Sequence, residues 1–477
     1  MTVGDMTASE MAAAVRSGGI SAVEILNASC ERIGRVDGIV NAFTDLTPER
    51  AAREAEGVDA AIAAGRDPGP LAGVPFAVKN LFDIEGLPTR AGSKINRDRP
   101  PAEGDALLIR RLRAAGAVLL GGLNMGEYAY DFTGENAHDG PSRNPHDTAH
   151  MTGGSSGGSG AAVAAGMVPL ALGSDTNGSI RVPSALCGVF GLKPTYGRLP
   201  RTGTFPFCDS LDHVGPMARS ASDLALSFDA MQGYEASDPV CAKKPTRQTV
   251  SSLSEGANGI RIAVAGDYFA SGGASEAHEA VVRAARALSV RREVVLPEAA
   301  RARGAAFVMT ASEGGSLHLD RLRTRAADFD PDTRYRFLAG AVLPAHWYVA
   351  AQRFRRWFHE QCLKLFREVD VILAPATPCP APERGEKWLT VGDRTLPLRP
   401  NLGVFTQPLS FAGLPVVVAP LHGVARLPLG VQVVAAPWRE DMALRVAAEL
   451  ESLGIASAPV AASLESVIGV EETSRNG

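Results

Sequence analysis

TGGSSGGSG, residues 152–160, sets five glycines and three serines beside one threonine. A run of this composition can be a flexible linker, a cradle for phosphate, or a loop that presents a serine for chemistry. The surrounding residues decide between them. A Walker loop needs a Lys directly after its glycines, and none follows here. A dinucleotide fingerprint opens a helix straight after a strand, whereas RNPHDTAHM (143–151) before this run is polar and turn-like. The register also fits G-x-S-x-G, but a nucleophile elbow ends a buried strand and needs a His base downstream. The later histidines, His213, His278, His318, His346, His359 and His422, stand in no local signature.

Reading outward, a helical AAVAAG (161–166) and a strand MVPLALG (167–173) lead into SDTNGS (174–179), where Ser179 follows Gly178 in a turn. The backbone N–H groups of Thr176, Asn177, Gly178 and Ser179 can converge there as an oxyanion hole, with donors in place before charge develops. A nucleophilic Ser needs a base. Lys79, in GVPFAVKNLFDIEG (73–86), ends a run of apolar residues, and desolvation there lowers an amine's pKa toward neutrality. Taken alone, Lys79 reads better as a lysine whose head reaches solvent. Paired with serines, it fits the Ser-Lys variant of triad chemistry.

Around these motifs the chain has the rhythm of an α/β protein. Thr7-x-x-Glu10 and Ser21-x-x-Glu24 have capping-box spacing, so the N-terminal region to about residue 65 is expected to be helical. From Leu71, short β-rich runs alternate with Ala-rich helical segments: GVPFAV (73–78), AVLLGG (117–122), IRIAVAG (260–266), VVLPE (294–298), VDVILAP (369–375), LPVVVAP (414–420) and LGVQVVAAP (429–437). Asp105 is placed to cap the helix of ALLIRRLRAAG (106–116). A polar stretch over 236–257 reads as a surface connection, and 467–477 as a frayed tail. A length of 477 residues suggests two or three units by size alone, but the pattern reads as one large domain: a helical wrap, a core over 71–235, and further sheet and pocket helices over 258–455.

Composition excludes several classes. With 45% hydrophobic and 21% charged residues the chain is an ordinary globular protein, and a net charge of -4 argues against a nucleic-acid surface. No apolar run approaches the ~20 residues of a membrane span, and no basic, apolar leader opens the chain, so a cytoplasmic location is expected. The six cysteines (30, 187, 208, 241, 362, 379) have no metal-ligand spacing and read as reduced thiols, so no metal is expected.

Six separated motifs then occur in order: GVPFAVKN (73–80), GPSRNPHD (140–147), TGGSSGGSGAAVAAG (152–166), GSDTNGSIRVPSALCGVFGLKPTYGRL (173–199), SLDHVGPMARSASDLA (210–225) and AGLPVVVAP (412–420). Together they resemble the amidase signature family, over about residues 71–452. The resemblance implies an α/β fold with a large mixed, twisted sheet covered by helices on both faces, and no cofactor. It also implies a Ser-cisSer-Lys triad of Ser179 as nucleophile, Ser155 as bridge and Lys79 as base; the 24-residue spacing of the two serines fits. Ser156 is expected to help fix the loop and to line the substrate pocket.

Two positions depart from the commonest family pattern. Asn177-Gly178 stands where two glycines are usual, and Asn80 follows the Lys where Asp is usual. Asn tolerates unusual backbone angles, and its carboxamide can reach the pocket. The chain resembles the carboxybiuret-hydrolysing branch of the family, related to the A subunits of glutamyl-tRNA amidotransferases. That kinship implies a small carboxylated urea or amide as substrate, ammonia as product, an oligomer, and a small helical partner of the amidotransferase C type. Arg334, Arg336 and His318 are the candidate cations for a substrate carboxylate. The alternatives are a glutaminase subunit of a tRNA-dependent amidotransferase and a non-catalytic interaction protein; intact Lys79, Ser155 and Ser179 disfavour the latter.

Overall fold

The computed structural model describes residues 3–391 and 393–464; the tail expected over 467–477 lies outside them. Both capping boxes form. Thr7 and Glu10 exchange side-chain and backbone hydrogen bonds at the start of the helix Ala8–Arg16, as do Ser21 and Glu24 at the helix Ala22–Val40. The first helix is also held from outside itself, because the Asp223 carboxylate accepts the N–H groups of Ala8 (3.0 Å) and Ser9 (2.9 Å). The expected cap at Asp105 is corrected by the structure. The helix Leu107–Ala114 has Ala106 at its N-cap with no side-chain bond, and Asp105 instead pairs with Arg50 and Arg113 and accepts the N–H of Glu85 (3.0 Å). Two guanidinium groups outcompete a backbone donor for the carboxylate.

Among the described residues the strands in chain order are β1 (Phe43–Leu46), β2 (Pro75–Lys79), β3 (Val118–Leu123), β4 (Leu170–Asp175), β5 (Phe190–Lys193), β6 (His213–Ala218), β7 (Ile262–Ala265), β8 (Glu293–Val294), β9 (Val371–Pro375), the separate hairpin β10 (Trp388–Val391) and β11 (Arg394–Pro397), then β12 (Val416–Leu421) and β13 (Leu429–Ala435). Eleven of these form one sheet in the order β1-β3-β2-β4-β6-β5-β12-β13-β9-β7-β8. β2 runs parallel to β3 and β4, and β7 parallel to β8 and β9; the other neighbours are antiparallel. The sheet is mixed, as expected. Every residue of β2, β3, β4, β6, β12 and β13 is buried. Since successive side chains point to opposite faces, both faces are covered.

β5 and β6 carry no strand signal in the sequence: FGLK is too short, and HVGPMA contains Gly and Pro, which weaken a strand reading. Tertiary pairing makes them strands, with β6 in antiparallel register along the whole of β4, from Leu170↔Ala218 to Asp175↔His213. VVLPE pairs only through Val294, three residues before Pro297, which has no N–H to give to a ladder. What matters for the site is the edge where parallel β2 and β4 end together. The register Phe76↔Leu170 and Val78↔Leu172 brings Lys79, the last residue of β2, beside the Gly173–Ser174 end of β4. Loops at the carboxyl ends of parallel strands are where α/β sheets bind ligands.

Candidate active site

Lys79 is fully buried, and its Nζ donates to Ser155 Oγ at 2.7 Å and to Ser174 Oγ at 2.9 Å. It makes no ion pair with a carboxylate among the described residues. Burial pulls its pKa down to about 7, against the opposing pull of Asp175, Asp212 and Asp131. The amine is therefore divided between neutral and charged forms near neutrality, as a general base must be.

The glycine-serine loop reaches Lys79 because its glycines let it pass close to other backbone. The Gly154–Ser155 peptide is cis. Gly154 N–H donates to the Phe132 carbonyl (2.9 Å), Gly126 N–H donates to the Ser155 carbonyl (3.1 Å), and a Cβ on Gly158 would meet the carbonyl oxygens of Ala42 and Asn124 at 2.6 Å. Ser156 bolts the loop to β4: its hydroxyl donates to the Ser174 carbonyl (3.2 Å) and accepts the Ser174 N–H (3.3 Å), while its own N–H donates to the Ser179 carbonyl (3.3 Å). The helix Gly157–Ala164 follows, buried along its whole length.

Ser179 sits in the turn between β4 and the helix Arg181–Leu186, with its hydroxyl bonded to no protein group among the described residues. None of the N–H groups of Thr176, Asn177, Gly178 and Ser179 donates to a protein acceptor there either. Gly178 has φ +145, and a Cβ there would lie 2.2 Å from Thr406 Oγ1, which donates to the Asn177 carbonyl at 2.6 Å. A side-chain-bearing residue would break this contact. Thr176 Oγ1 donates to Asp212 (2.6 Å) on the other side. Beneath the turn, Asp175 accepts from Arg181 Nε (2.9 Å) and Nη2 (3.0 Å), both groups fully buried. Burial raises the Asp175 pKa, but Arg181, with Lys193 and His213, outweighs it and holds the carboxyl well below the usual range.

The Amidase family model matches residues 24–444 of the chain. The chain belongs to the amidase signature family. It is 54% identical over 449 residues to AtzE, the 1-carboxybiuret hydrolase subunit of Pseudomonas sp. (strain ADP), covering 94% of this chain and 98% of that protein. It is 37% identical over 471 residues to the A-type subunit of the glutamyl-tRNA(Gln) amidotransferase of Methylococcus capsulatus, covering 92% and 95%. Among solved structures it is similar to an s-triazine catabolic enzyme described in a vestigial protein complex, with a TM-score of 0.94 and 53% identity over 95% of this chain and 100% of that one. An amide-hydrolysing enzyme on this fold is therefore established.

The remaining expected residues of this amidase fall in different places. Arg336 lies near the site: its guanidinium sits 3.5 Å from the centroid of the Tyr130 ring and donates to the Tyr130 carbonyl, and no carboxylate pairs with it among the described residues. Tyr130 is two residues from Phe132, whose ring a Cβ on Gly178 would meet at 3.3 Å and whose carbonyl holds Gly154. Arg334 is turned instead onto its neighbour, 4.7 Å from the Tyr335 ring centroid and bonded to its hydroxyl. His318 is packed among Tyr128, Phe205, Phe329 and Phe337, and burial with Arg321 alongside pushes its pKa down to about 3, so it carries no charge at neutral pH. Asn80 ties β2 to its surroundings through Thr44 (3.1 Å) and the Gly92 N–H (2.9 Å). Asn177 is 6% exposed, and its Oδ1 has no partner among the described residues.

Sequence reasoning missed the supports. Ser174 and Asp175 stand inside a motif and could have been singled out as polar residues at a buried strand end. Thr406 and Arg399, which pairs with Asp131, Glu135 and Asp332 across the loop that carries Phe132, have no local pattern to mark them. Among the described residues no group of three or more His, Cys, Asp or Glu side chains is placed to hold a metal ion, and no helix is long and apolar enough to cross a membrane.

Proposed function

We propose that the protein hydrolyses the terminal C–N bond of a small carboxylated urea or amide, of the carboxybiuret type, and releases ammonia. The observation that carries this reading is the buried Lys79 amine, 2.7 Å from Ser155 Oγ and free of any carboxylate partner among the described residues. Neutral Lys79 takes a proton through Ser155 from the Ser179 hydroxyl, and Ser179 Oγ attacks the amide carbonyl. The N–H groups of residues 176–179 stabilise the oxyanion. The proton returns by the same path to the leaving nitrogen, the C–N bond breaks, and ammonia departs. Water then attacks the acyl-enzyme ester, giving its proton to the relay and restoring Ser179.

Arg336 is the cation proposed to anchor the substrate carboxylate, since a guanidinium without a counter-ion beside the site favours an anion. Arg334 and His318 are not proposed for that role, because one is engaged by Tyr335 and the other is neutral. The similarity to AtzE supports the substrate class. By the same kinship we read the chain as part of an oligomeric assembly with a small helical partner; exposed Val342, Tyr335 and Trp347 are apolar surface that such an assembly would cover. Light-scattering mass of the chain co-expressed with candidate partners checks this.

The test is chemical. Intact mass should show a fluorophosphonate adduct in wild type and none in Ser179→Ala; an adduct formed equally in the variant would remove Ser179 as nucleophile. Ammonia release from ureido-carboxylates without tRNA or ATP separates this reading from that of a tRNA-dependent glutaminase. Arg336→Ala should lower kcat/KM for succinamate by roughly 10- to 150-fold more than for neutral butyramide, the scale of a charge-assisted hydrogen bond. Equal losses on both would give Arg336 a purely structural role.

A further inference from the structure

We propose that the Asn177 carboxamide reads the N–H next to the scissile carbonyl, so that the site selects ureides, in which that atom is nitrogen, over amides in which it is carbon. The inference rests on the amidohydrolase reading and narrows its substrate class. Asn177 is only 6% exposed, yet its Oδ1 is shut away from solvent without a donor, and its Nδ2 has no acceptor among the described residues. Leaving a buried acceptor unpaired is unfavourable, because it has given up its water without gaining a partner. Such a group calls for an explanation, and the fold supplies none.

The turn does not need the carboxamide. Its shape is held by other groups: Thr406 Oγ1 on the Asn177 carbonyl, Asp212 on Thr176, and Asp175 on the N–H groups of Ile180 (3.2 Å) and Arg181 (3.4 Å). Because neither carboxamide atom is engaged, the group can rotate without breaking any bond. The chemistry of the site lacks one thing that Asn177 provides. The four N–H groups of residues 176–179 are donors, the Ser155 hydroxyl already accepts from Lys79, and Asn177 Oδ1 is the one buried side-chain oxygen of the nucleophile's turn that no donor meets among the described residues. A ureide brings an N–H beside its carbonyl and satisfies that acceptor; a methylene in the same place leaves it unpaired. Sites built to hydrogen-bond a substrate group reject the analogue that lacks it far more strongly than apolar pockets do.

Hydantoate and succinamate make the test, since both carry a carboxylate and a primary amide and differ in one NH replaced by CH2. Their kcat/KM ratio is measured in wild type, Asn177→Gly and Asn177→Leu, so that losses common to both substrates cancel. The ratio should fall on the order of 10- to 100-fold in both variants. A ratio unchanged within about 2-fold in either variant overturns the proposal, including a fall in Leu alone, which would be steric. A wild-type enzyme that forms the Ser179 adduct but hydrolyses neither compound also overturns it while leaving the nucleophile standing. Loss of the adduct in wild type would instead sink the amidohydrolase reading.

Discussion

At the scale of single residues, the decisive quantity is the proton affinity of Lys79. Its pKa is about 7 in the fold against 10.5 for an unperturbed amine, so between those values the native state binds fewer protons than the unfolded chain. Stability therefore rises with pH across that window and is lowest below pH 7, where the buried amine is charged in the native state. Lys79→Met should abolish this slope, and the difference between wild type and variant in urea unfolding should change by about 3.5 kcal/mol between pH 7 and 10. In the proposed mechanism, activity depends on the same neutral amine. The acid limb of kcat/KM should have its midpoint near pH 7, and Lys79→Met should cost more than about 100-fold in turnover. A variant with the wild-type stability slope and rate would return Lys79 to a structural role.

At the scale of elements, the turn that carries Ser179 is a strand end joined to a short helix by one buried ion pair. Asp175 closes β4 and Arg181 opens the helix Arg181–Leu186; the guanidinium also reaches Gln432 of β13 (2.8 Å) and the Thr406 carbonyl (2.9 Å), so one side chain ties three segments together. Removing one partner of a buried pair leaves the other uncompensated, so Arg181→Gln should cost about 3–5 kcal/mol in urea unfolding. Because Asp175 is held well below its unfolded value of 3.8, the pair's contribution is complete above that value and fades only as pH falls below it. The part of the loss that Asp175 carries should thus be the same at pH 6 and pH 8. A cost below about 1 kcal/mol would show that the turn is held by the Thr406 and Asp212 contacts alone.

At the scale of the whole molecule, the first N-terminal helix is tied to the core by side-chain contacts. Asp223, on the helix Ala221–Met231, caps Ala8–Arg16 from a distance of more than 200 residues in sequence. Asp223→Ala should raise amide exchange in residues 8–16 by on the order of 10-fold or more, with little change at the Gly157–Ala164 helix, as a local opening of a docked element. Uniform acceleration across both helices would mean that the first helix is instead part of the global folding unit.

The sequence by itself determined the local chemistry: capping boxes at Thr7 and Ser21, most long apolar strands, the two serine motifs and the strand-terminal Lys79. Those signals are written in neighbouring residues, where short-range geometry and hydrophobic pattern suffice. It named Asn177 and Arg336 but could not rank Arg336 above Arg334 and His318, because all three are merely basic in the chain. Only the tertiary structure decided that Arg334 lies on Tyr335, that His318 is sealed among aromatic rings and uncharged, and that Asp105 pairs with Arg50 and Arg113 without capping the helix it precedes. It also made β5 and β6 strands and brought Thr406 onto the Asn177 carbonyl. The reason is physical: burial and pairing partners are properties of what surrounds a group in space, and the neighbours of a site residue come from segments 76 positions away, as Ser155 is from Lys79, to 229 positions away, as Thr406 is from Asn177.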